Sequence, residues 1–220
     1  MSLTLIIGNK NYSSWSLRPW FYLKHHGIPF DEIRIPLYRE DSKQRILSYS
    51  PSGKVPLLID GETHIWDSLA ILEYLAERHP KTLGWPDDIK DRALARSLAA
   101  EMHSGFQALR TCCGMNCRRP PGGKELPEDV LKDIARISQI WQDCRARFGS
   151  AGPWLMGGFS ILDAMYAPVA LRFNTYQVAV GAAERAYVNT VLTHPAIQEW
   201  IEAGRQETEV IQAFEDRAIQ

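Results

Sequence analysis

One segment near residue 55 constrains the fold of this chain more than any other. Residues 55–59 form an apolar run with the composition of a β-strand, and Pro56 lies near its start. Proline cannot donate to a sheet ladder, so it is confined to the first residues or the edge of a strand. An X-Pro bond also reaches the cis form far more readily than other peptide bonds. The backbone of Val55 is therefore predicted to be free to pair with a partner outside the sheet.

The residues that follow predict a hairpin and then the start of a helix. Asp60-Gly61 is typical of a hairpin turn between two apolar runs. Asp67-Ser68 then opens an apolar run with helical spacing, and both residues are common helix caps. The free N–H groups at a helix start attract a carboxylate. An unpaired backbone edge beside such a helix tip suits a small peptide with a charged end.

The sequence VPLLIDG followed by DS resembles the glutathione-binding region of cytosolic glutathione transferases. In that family the residue before the cis-proline pairs through its backbone with the cysteinyl part of glutathione. The acidic-Ser pair holds the γ-glutamyl end. The resemblance assigns the first role to Val55 and Pro56 and the second to Asp67 and Ser68.

The resemblance covers essentially the whole chain and implies the glutathione transferase fold. That fold joins an α/β N-terminal thioredoxin-like domain, expected over residues 1–80, to an all-α C-terminal helical domain, expected over residues 87–220. The periodicity of the sequence agrees: the first part has the order β-α-β-α-β-β-α, which predicts a mixed sheet with helices on both faces. A linker with Pro and Gly punctuation separates the two parts.

The second part has helical spacing throughout. Apolar residues at mostly four-residue steps predict one helix over residues 87–112. Further helices are predicted over residues 127–148, 183–192 and 195–211. Ser160 and Asp163 form an S-x-x-D capping pattern, to which we assign a role in folding rather than in catalysis.

Composition excludes several classes of function. The net charge of −1 gives no electrostatic reason to expect nucleic acid or an acidic membrane as a partner. No stretch approaches the ~20 apolar residues of a membrane span, and the N-terminus lacks the features of a signal peptide. We therefore expect a cytoplasmic protein. The spacing of the cysteines is not a usual zinc pattern, so no metal and no disulfide are predicted. The four cysteines are Cys112, Cys113, Cys117 and Cys144.

The chemistry implied by the resemblance requires a thiolate at neutral pH. A free thiol has a pKa of about 8.5, and lowering it by ~2 units needs roughly 3 kcal/mol. One charge-assisted hydrogen bond contributes ~1.5–3 kcal/mol, and a helix N-terminus adds ~0.3–1 kcal/mol. A hydroxyl at the tip of the first helix is therefore about sufficient, and Ser13 and Ser14 stand at that position.

The segment from Asn11 to Arg18 is most similar to the zeta-class motif Ser-Ser-Cys-Ser-x-Arg. The resemblance makes Ser13 the donor to the glutathione thiolate and Ser14 a second donor. Tyr12 is a rival donor, because other classes use a tyrosine near the end of the first strand. A plain helix cap with a neighbouring loop hydroxyl is the alternative that involves no chemistry.

The chain departs from the zeta motif at one position. Trp15 stands where the zeta enzymes have cysteine, and no cysteine precedes Cys112. This departure argues against a thiol transferase that works through a protein cysteine. Trp15 and Lys54 complete the expected glutathione site, Lys54 as a partner for the glycine carboxylate or as a solvated loop residue.

The second domain is expected to supply the pocket for the electrophile, together with Tyr12. On the predicted helix over residues 87–112, Met102 and Phe106 are pocket wall or core. His103 is a general acid or, more often at such positions, a structural histidine. Arg110 orients an anionic substrate or pairs with a neighbouring acid.

These observations predict a glutathione transferase that activates the thiolate of glutathione, its co-substrate, for attack on a small apolar electrophile. One alternative is a zeta-like glutathione-dependent cis–trans isomerase acting on maleylacetoacetate or maleylpyruvate. Another is a protein that binds glutathione or other ligands without turnover. The resemblance further implies a homodimer with a role in detoxification, and neither nucleic acid nor a membrane is expected as a partner.

Overall fold

Four short strands form one mixed sheet in the N-terminal part of the chain. In the computed structural model, which describes residues 2–215, they are β1 (Leu3–Ile7), β2 (Phe30–Arg34), β3 (Leu57–Asp60) and β4 (Thr63–Trp66). The spatial order is β2-β1-β3-β4, with β1 parallel to β2 and antiparallel to β3. Residue 1 and residues 216–220, the outer ends of the two predicted domains, lie outside the described residues.

Three helices complete this part and confirm the predicted order β-α-β-α-β-β-α. They are α1 (Ser14–His25), α2 (Ser42–Leu47) and α3 (Ser68–Arg78). Ser13 caps α1 and Asp67 caps α3, each by accepting backbone N–H groups of the first turn. Gly27 follows α1 with φ of 63°, a conformation that glycine adopts without steric cost.

The rest of the described chain is helical, apart from loops and a 3₁₀ turn at Gly149–Ala151. The helices are α4 (Ile89–Ser104), α5 (Gln107–Cys112), α6 (Glu128–Phe148), α7 (Ile161–Thr175), α8 (Ala182–Leu192), α9 (Pro195–Gln206) and α10 (Gln212–Glu215). Together with the sheet, they give the predicted thioredoxin-like domain followed by an all-helical one. None of the helices within residues 2–215 is long and apolar enough to cross a membrane.

Two of the predicted helices extend further than the observed ones. The prediction of one helix over residues 87–112 is wrong, because Phe106 takes the left-handed conformation with φ of 58° and separates α4 from α5. The helix predicted over residues 195–211 ends at Gln206, since Glu207 is extended with ψ of 136°. In both cases apolar residues continue the helical spacing beyond the point where the backbone turns.

Helix α7 lies at the centre of the core and joins the two parts of the chain. Nearly all of its residues are buried, and α1 of the N-terminal part packs against it. The predicted capping box is present at its start, where Asp163 Oδ2 accepts the backbone N–H of Ser160 at 2.9 Å. The tip of α1 is therefore fixed at the junction between the sheet domain and the helical domain.

Candidate active site

The peptide between Val55 and Pro56 borders a cavity of about 640 Å³. This peptide is cis, and the ladder of β3 begins only at Leu57, so Val55 lies outside the sheet pairing. The tip of α3 forms part of the same cavity. All six predicted glutathione-binding residues line it, with Ser52, Trp66 and His103: Trp15, Lys54, Val55, Pro56, Asp67 and Ser68.

Asp67 is held by contacts to both domains. Its backbone has φ of 77°, and its Oδ1 accepts the N–H groups of Leu69 and Ala70 at 2.9 and 3.3 Å. Its Oδ2 lies 3.1 Å from Nε2 of His103 on α4. Burial lowers the pKa of His103, and the Asp67 carboxylate opposes that shift. The predicted γ-glutamyl site is thus built across the domain junction.

Ser68 rests on a buried guanidinium. Nη1 of Arg18 donates to Ser68 Oγ at 3.3 Å, and Arg18 is completely buried in α1. Within residues 2–215, the Nε and Nη2 atoms of Arg18 have no hydrogen-bond partner. Burial and the charges of Arg110 and Arg172 push the pKa of Arg18 well below its usual range.

A second cavity of about 590 Å³ lies on the other side of Trp15. It shares Trp15, Lys54 and Val55 with the first, so the two form one groove across the tip of α1. Ser13, Ser14, Arg110 and Arg172 are among its lining residues. Its apolar lining residues include Leu37, Ile46, Met115 and Phe214.

The two serines at the tip of α1 have different partners. Ser13 Oγ donates to Ser16 Oγ at 2.8 Å and accepts the backbone N–H of Ser16 at 3.3 Å. Ser14 Oγ accepts a 3.1 Å hydrogen bond from Nη2 of Arg172. Both serines are 7% exposed and border the groove.

Three guanidinium groups lie beside Trp15 or Ser14. Arg18 and Arg110 lie over the ring of Trp15, with their Cζ atoms 4.2 and 4.8 Å from its centroid. Among the ion pairs formed by the described residues, none includes Arg18, Arg110 or Arg172. Burial lowers the pKa of all three. The groove is therefore electropositive at the point where its two halves meet.

The structure does not bring all predicted pocket residues to the groove. Met102 and Phe106 are buried in the main core and line neither cavity, because the chain turns at Phe106. Arg110 lines the groove but holds the end of α4: its side chain donates to the carbonyls of Met102, His103 and Gly105.

Tyr12 lines the groove, but its hydroxyl is occupied elsewhere. It donates to Glu215 Oε1 at 2.5 Å and accepts from Nη2 of Arg118 at 2.6 Å. Burial and the Glu215 carboxylate raise the pKa of Tyr12. In this geometry the Tyr12 hydroxyl proton is directed to Glu215, and Tyr12 anchors residues 211–215.

Sequence reasoning missed Arg172, Tyr38 and Phe214, all of which line the groove. One sign of Arg172 was present in the sequence. It is the single charged residue in the otherwise apolar run over residues 164–173. Arginine is rarely buried in a core helix unless it has a partner there. No feature of the sequence indicates that Tyr38 and Phe214 belong to the site. Their rings are in contact although the two residues are far apart in sequence.

Comparison with known proteins agrees with this fold. Residues 12–78 match the family model for the glutathione S-transferase N-terminal domain. A probable maleylacetoacetate isomerase from Caenorhabditis elegans is 36% identical over 166 residues, which cover 73% of this chain and 75% of that protein. A zeta-class glutathione S-transferase from Euphorbia esula is 28% identical over 171 residues, covering 74% of each chain.

Solved structures show the same fold. A glutathione transferase homologue from Burkholderia, solved with bound glutathione, superposes with a TM-score of 0.72 at 22% identity, covering 94% of this chain and all 100% of that one. A bacterial zeta-class maleyl pyruvate isomerase superposes with a TM-score of 0.70 at 18% identity, with coverage of 94% and 100%. The chain belongs to the glutathione S-transferase family.

Proposed function

We propose that the protein is a glutathione transferase that activates the thiol of glutathione for attack on a small apolar electrophile. The observation that carries this proposal is the convergence of all six predicted glutathione-binding residues on one cavity. These residues come from three separate stretches of sequence, at the start of α1, around Pro56 and at the start of α3. Their meeting at one groove is what a binding site for the tripeptide requires.

In the proposed complex, glutathione lies extended along the groove. The backbone of Val55 pairs with the cysteinyl residue, because this peptide lies outside the sheet ladder. Asp67 and Ser68 hold the γ-glutamyl end at the N-terminus of α3, where the helix attracts its carboxylate. The exposed Lys54 pairs with the glycine carboxylate. The sulfur then lies at the tip of α1, beside Ser13 and Ser14.

The guanidinium groups support ionisation of the thiol at that point. A unit charge about 6 Å from the sulfur contributes roughly 2–3 kcal/mol at an effective dielectric constant of ~20. This is comparable to the ~3 kcal/mol needed to lower a thiol pKa by ~2 units. Arg172 already contacts Ser14 Oγ, and no acid pairs with it among the ion pairs of the described residues.

The second cavity, beyond Trp15, is proposed to hold the electrophile. Apolar and aromatic side chains dominate its outer wall, which suits a small apolar compound. They include Tyr12, Leu37, Tyr38, Ile46, Met115 and Phe214.

The test combines binding with ionisation and turnover. Glutathione added to the purified protein is expected to bind with a stoichiometry of one per chain in calorimetry. The bound glutathione should also show the absorbance of a thiolate near neutral pH. The protein should catalyse the conjugation of glutathione to 1-chloro-2,4-dinitrobenzene. Tight binding without a thiolate band or turnover would instead indicate the non-catalytic binding protein. Absence of binding would overturn both.

The cluster of arginines favours a second candidate, the zeta-like cis–trans isomerase. A maleyl substrate carries two carboxylates, and Arg110 and Arg172 both line the second cavity, whose described lining residues include no acid. Under this proposal, Arg110→Ala lowers turnover of maleylpyruvate far more than conjugation of a neutral electrophile. An equal loss with both substrates would assign Arg110 only its contact with the end of α4.

The family resemblance also supports a homodimer, a cytoplasmic location and a role in detoxification. Light scattering during size-exclusion chromatography tests whether the protein is a homodimer. A mass of twice 25.0 kDa is expected, and a monomeric mass would contradict it.

A further inference from the structure

The Ser13 hydroxyl donates its proton to a hydrogen bond within the first turn of α1. Ser13 Oγ donates to Ser16 Oγ at 2.8 Å, and the backbone N–H of Gly8 also donates to Ser16 Oγ at 3.1 Å. Ser13 Oγ further accepts the N–H of Ser16, as the N-cap of α1. Both hydrogen bonds of Ser13 are thus accounted for by the fold.

The Ser14 hydroxyl is in the opposite situation. Its oxygen accepts from Arg172, and a guanidinium can only donate. No residue within 2–215 accepts a hydrogen bond from Ser14 Oγ. Arg172 occupies one lone pair of Ser14 Oγ, so the hydroxyl proton stays available to a ligand in the groove that Ser14 borders.

Arg172 is held rigidly behind this hydroxyl. It is 5% exposed on the core helix α7, and its Nε donates to the carbonyl of Cys113 at 2.8 Å. Burial, with a contribution from Arg110, lowers the pKa of Arg172 to about 10, so the group remains charged at neutral pH. A buried charge of this kind is costly unless a partner compensates for it.

We propose that Ser14, rather than Ser13, donates the hydrogen bond to the glutathione sulfur, and that Arg172 is a positioning residue acting through Ser14. This inference rests on the proposed function. Arg172 fixes the orientation of the Ser14 hydroxyl and polarises it, which makes it a stronger donor to an anion. Ser13 keeps only its role as the helix cap.

The step that this pair assists is the loss of one proton. Glutathione S–H releases its proton to water or buffer, and the S–H bonding electrons stay on sulfur as a lone pair. That lone pair accepts the hydrogen bond from Ser14, whose own O–H bond stays intact. The thiolate carries the new negative charge until it attacks the electrophile.

The inference is tested by titrating the thiolate absorbance of bound glutathione against pH. A charge-assisted hydrogen bond to a thiolate lowers the thiolate pKa by about 1–2 units. Ser14→Ala removes this hydrogen bond and Arg172→Met removes the group that orients it, so each is expected to raise the thiolate pKa by about one unit or more. Ser13→Ala is expected to leave it nearly unchanged while lowering thermal stability through the lost cap. Arg172→Lys, which retains the charge, should recover part of the shift.

The double variant separates action through Ser14 from a general field effect. If Arg172 acts through Ser14, Ser14→Ala combined with Arg172→Met gives a shift close to that of Ser14→Ala alone. Tyr176→Phe is the matched structural control. Tyr176 donates to the Gly114 carbonyl at 3.0 Å, and so anchors the same turn as Arg172 without touching Ser14. It should leave the thiolate pKa unchanged.

Each outcome of the titration has a distinct meaning. Bound glutathione with no thiolate band in the wild type would overturn the proposed function, and this inference with it. A wild-type band that shifts in Ser13→Ala but not in Ser14→Ala would overturn this inference alone. Additive shifts in the double variant would also contradict it. If Arg172→Met fails to fold, Arg172→Lys and the two serine variants still decide the assignment of the donor.

Discussion

The backbone N–H of Asn11 donates a 3.1 Å hydrogen bond to Oε2 of Glu207, although 196 residues separate them in sequence. The N–H of Lys10 donates to Oε1 of the same carboxylate at 2.7 Å. Gly204 allows this approach, since a Cβ there would lie 3.0 Å from the Asn11 nitrogen. The C-terminal end of the helical domain thereby shapes the loop that leads into Ser13.

These two hydrogen bonds, here called the Glu207 clamp, predict that Glu207→Gln lowers the free energy of unfolding by about 1–3 kcal/mol. The side-chain NH₂ group of the glutamine would face the backbone N–H of either Lys10 or Asn11, and two donors cannot form a hydrogen bond. The other N–H group would lose its charged acceptor. Urea denaturation measures the change. Glu202→Gln on α9 is the control, since the exposed Glu202 side chain accepts a hydrogen bond from exposed Gln206. Equal effects of the two substitutions would contradict the clamp.

Asp67 is predicted to contribute to glutathione affinity through its charge. Asp67→Asn is expected to weaken binding about 10- to 100-fold, because it replaces a charge-assisted hydrogen bond to the γ-glutamyl amino group by a neutral one. Calorimetry measures the dissociation constant. Asp88→Asn is a matched control, since Asp88 caps α4 in the same way, accepting N–H groups at 2.9 and 3.0 Å. An unchanged affinity in Asp67→Asn would remove this residue from the site.

Four histidines lie around the C-terminal end of α1, and two of them predict a dependence of stability on pH. Nδ1 of His25 lies 3.0 Å from Nε2 of His194, and the His25 ring stacks on Phe159 at 3.7 Å. Burial, with the charges of His26 and His194, lowers the pKa of His25 to about 4. Burial and His79 lower the pKa of His26 to about 4.

The sign of this effect follows from proton linkage. An unfolded histidine binds a proton near pH 6.5, whereas the folded pair does so only near pH 4. The stability contributed by these groups is complete above pH 6.5 and is lost progressively as the pH falls to 4. Partial solvent exposure limits the loss to on the order of 2 kcal/mol.

His26→Gln is therefore expected to flatten the fall in unfolding free energy between pH 6.5 and 4. The comparison uses the difference from wild type, because burial raises the pKa of Asp163 to about 6 and this carboxyl acts in the opposite direction. Denaturation curves at several pH values provide the measurement. His64→Gln, at an exposed position on β4, should leave the slope as it is. An unaltered slope in His26→Gln would refute the prediction.

The capping box of α7 predicts a large loss of stability in Asp163→Ala. The Asp163 carboxylate is fully buried and accepts the N–H groups of Leu155 and Ser160 at 3.0 and 2.9 Å. Removing it leaves two buried donors without partners, at about 1–3 kcal/mol each. Urea denaturation should show a loss of about 2–5 kcal/mol. Asp41→Ala, before α2, serves as the control because Asp41 makes no capping bond.

The parts of the site that could be predicted are those determined by local sequence. Pro56 and the Asp67 cap each constrain their own backbone, so a short motif allows the cis peptide and predicts the hairpin and the start of α3. The predicted order of elements up to residue 80 holds for the same reason. Each strand and helix there has its own start and stop residues.

The parts that could not be predicted depend on contacts between distant residues. Ser14 and Arg172 are 158 residues apart, and no spacing in the sequence encodes their contact. The apolar pattern around Phe106 continues across the turn, because Phe106 is buried whether or not the helix continues. The same pattern suggested a pocket face for Met102, which lies in the core instead. Periodicity indicates burial, but it does not indicate which neighbour covers the side chain.

A crystal structure with glutathione at saturating concentration would show the binding mode itself. We expect an extended tripeptide with its cysteinyl backbone paired to Val55 and its γ-glutamyl end at Asp67 and Ser68. The sulfur should lie within hydrogen-bonding distance of Ser14 Oγ. An empty groove, or a tripeptide whose sulfur points away from the tip of α1, would contradict this binding mode.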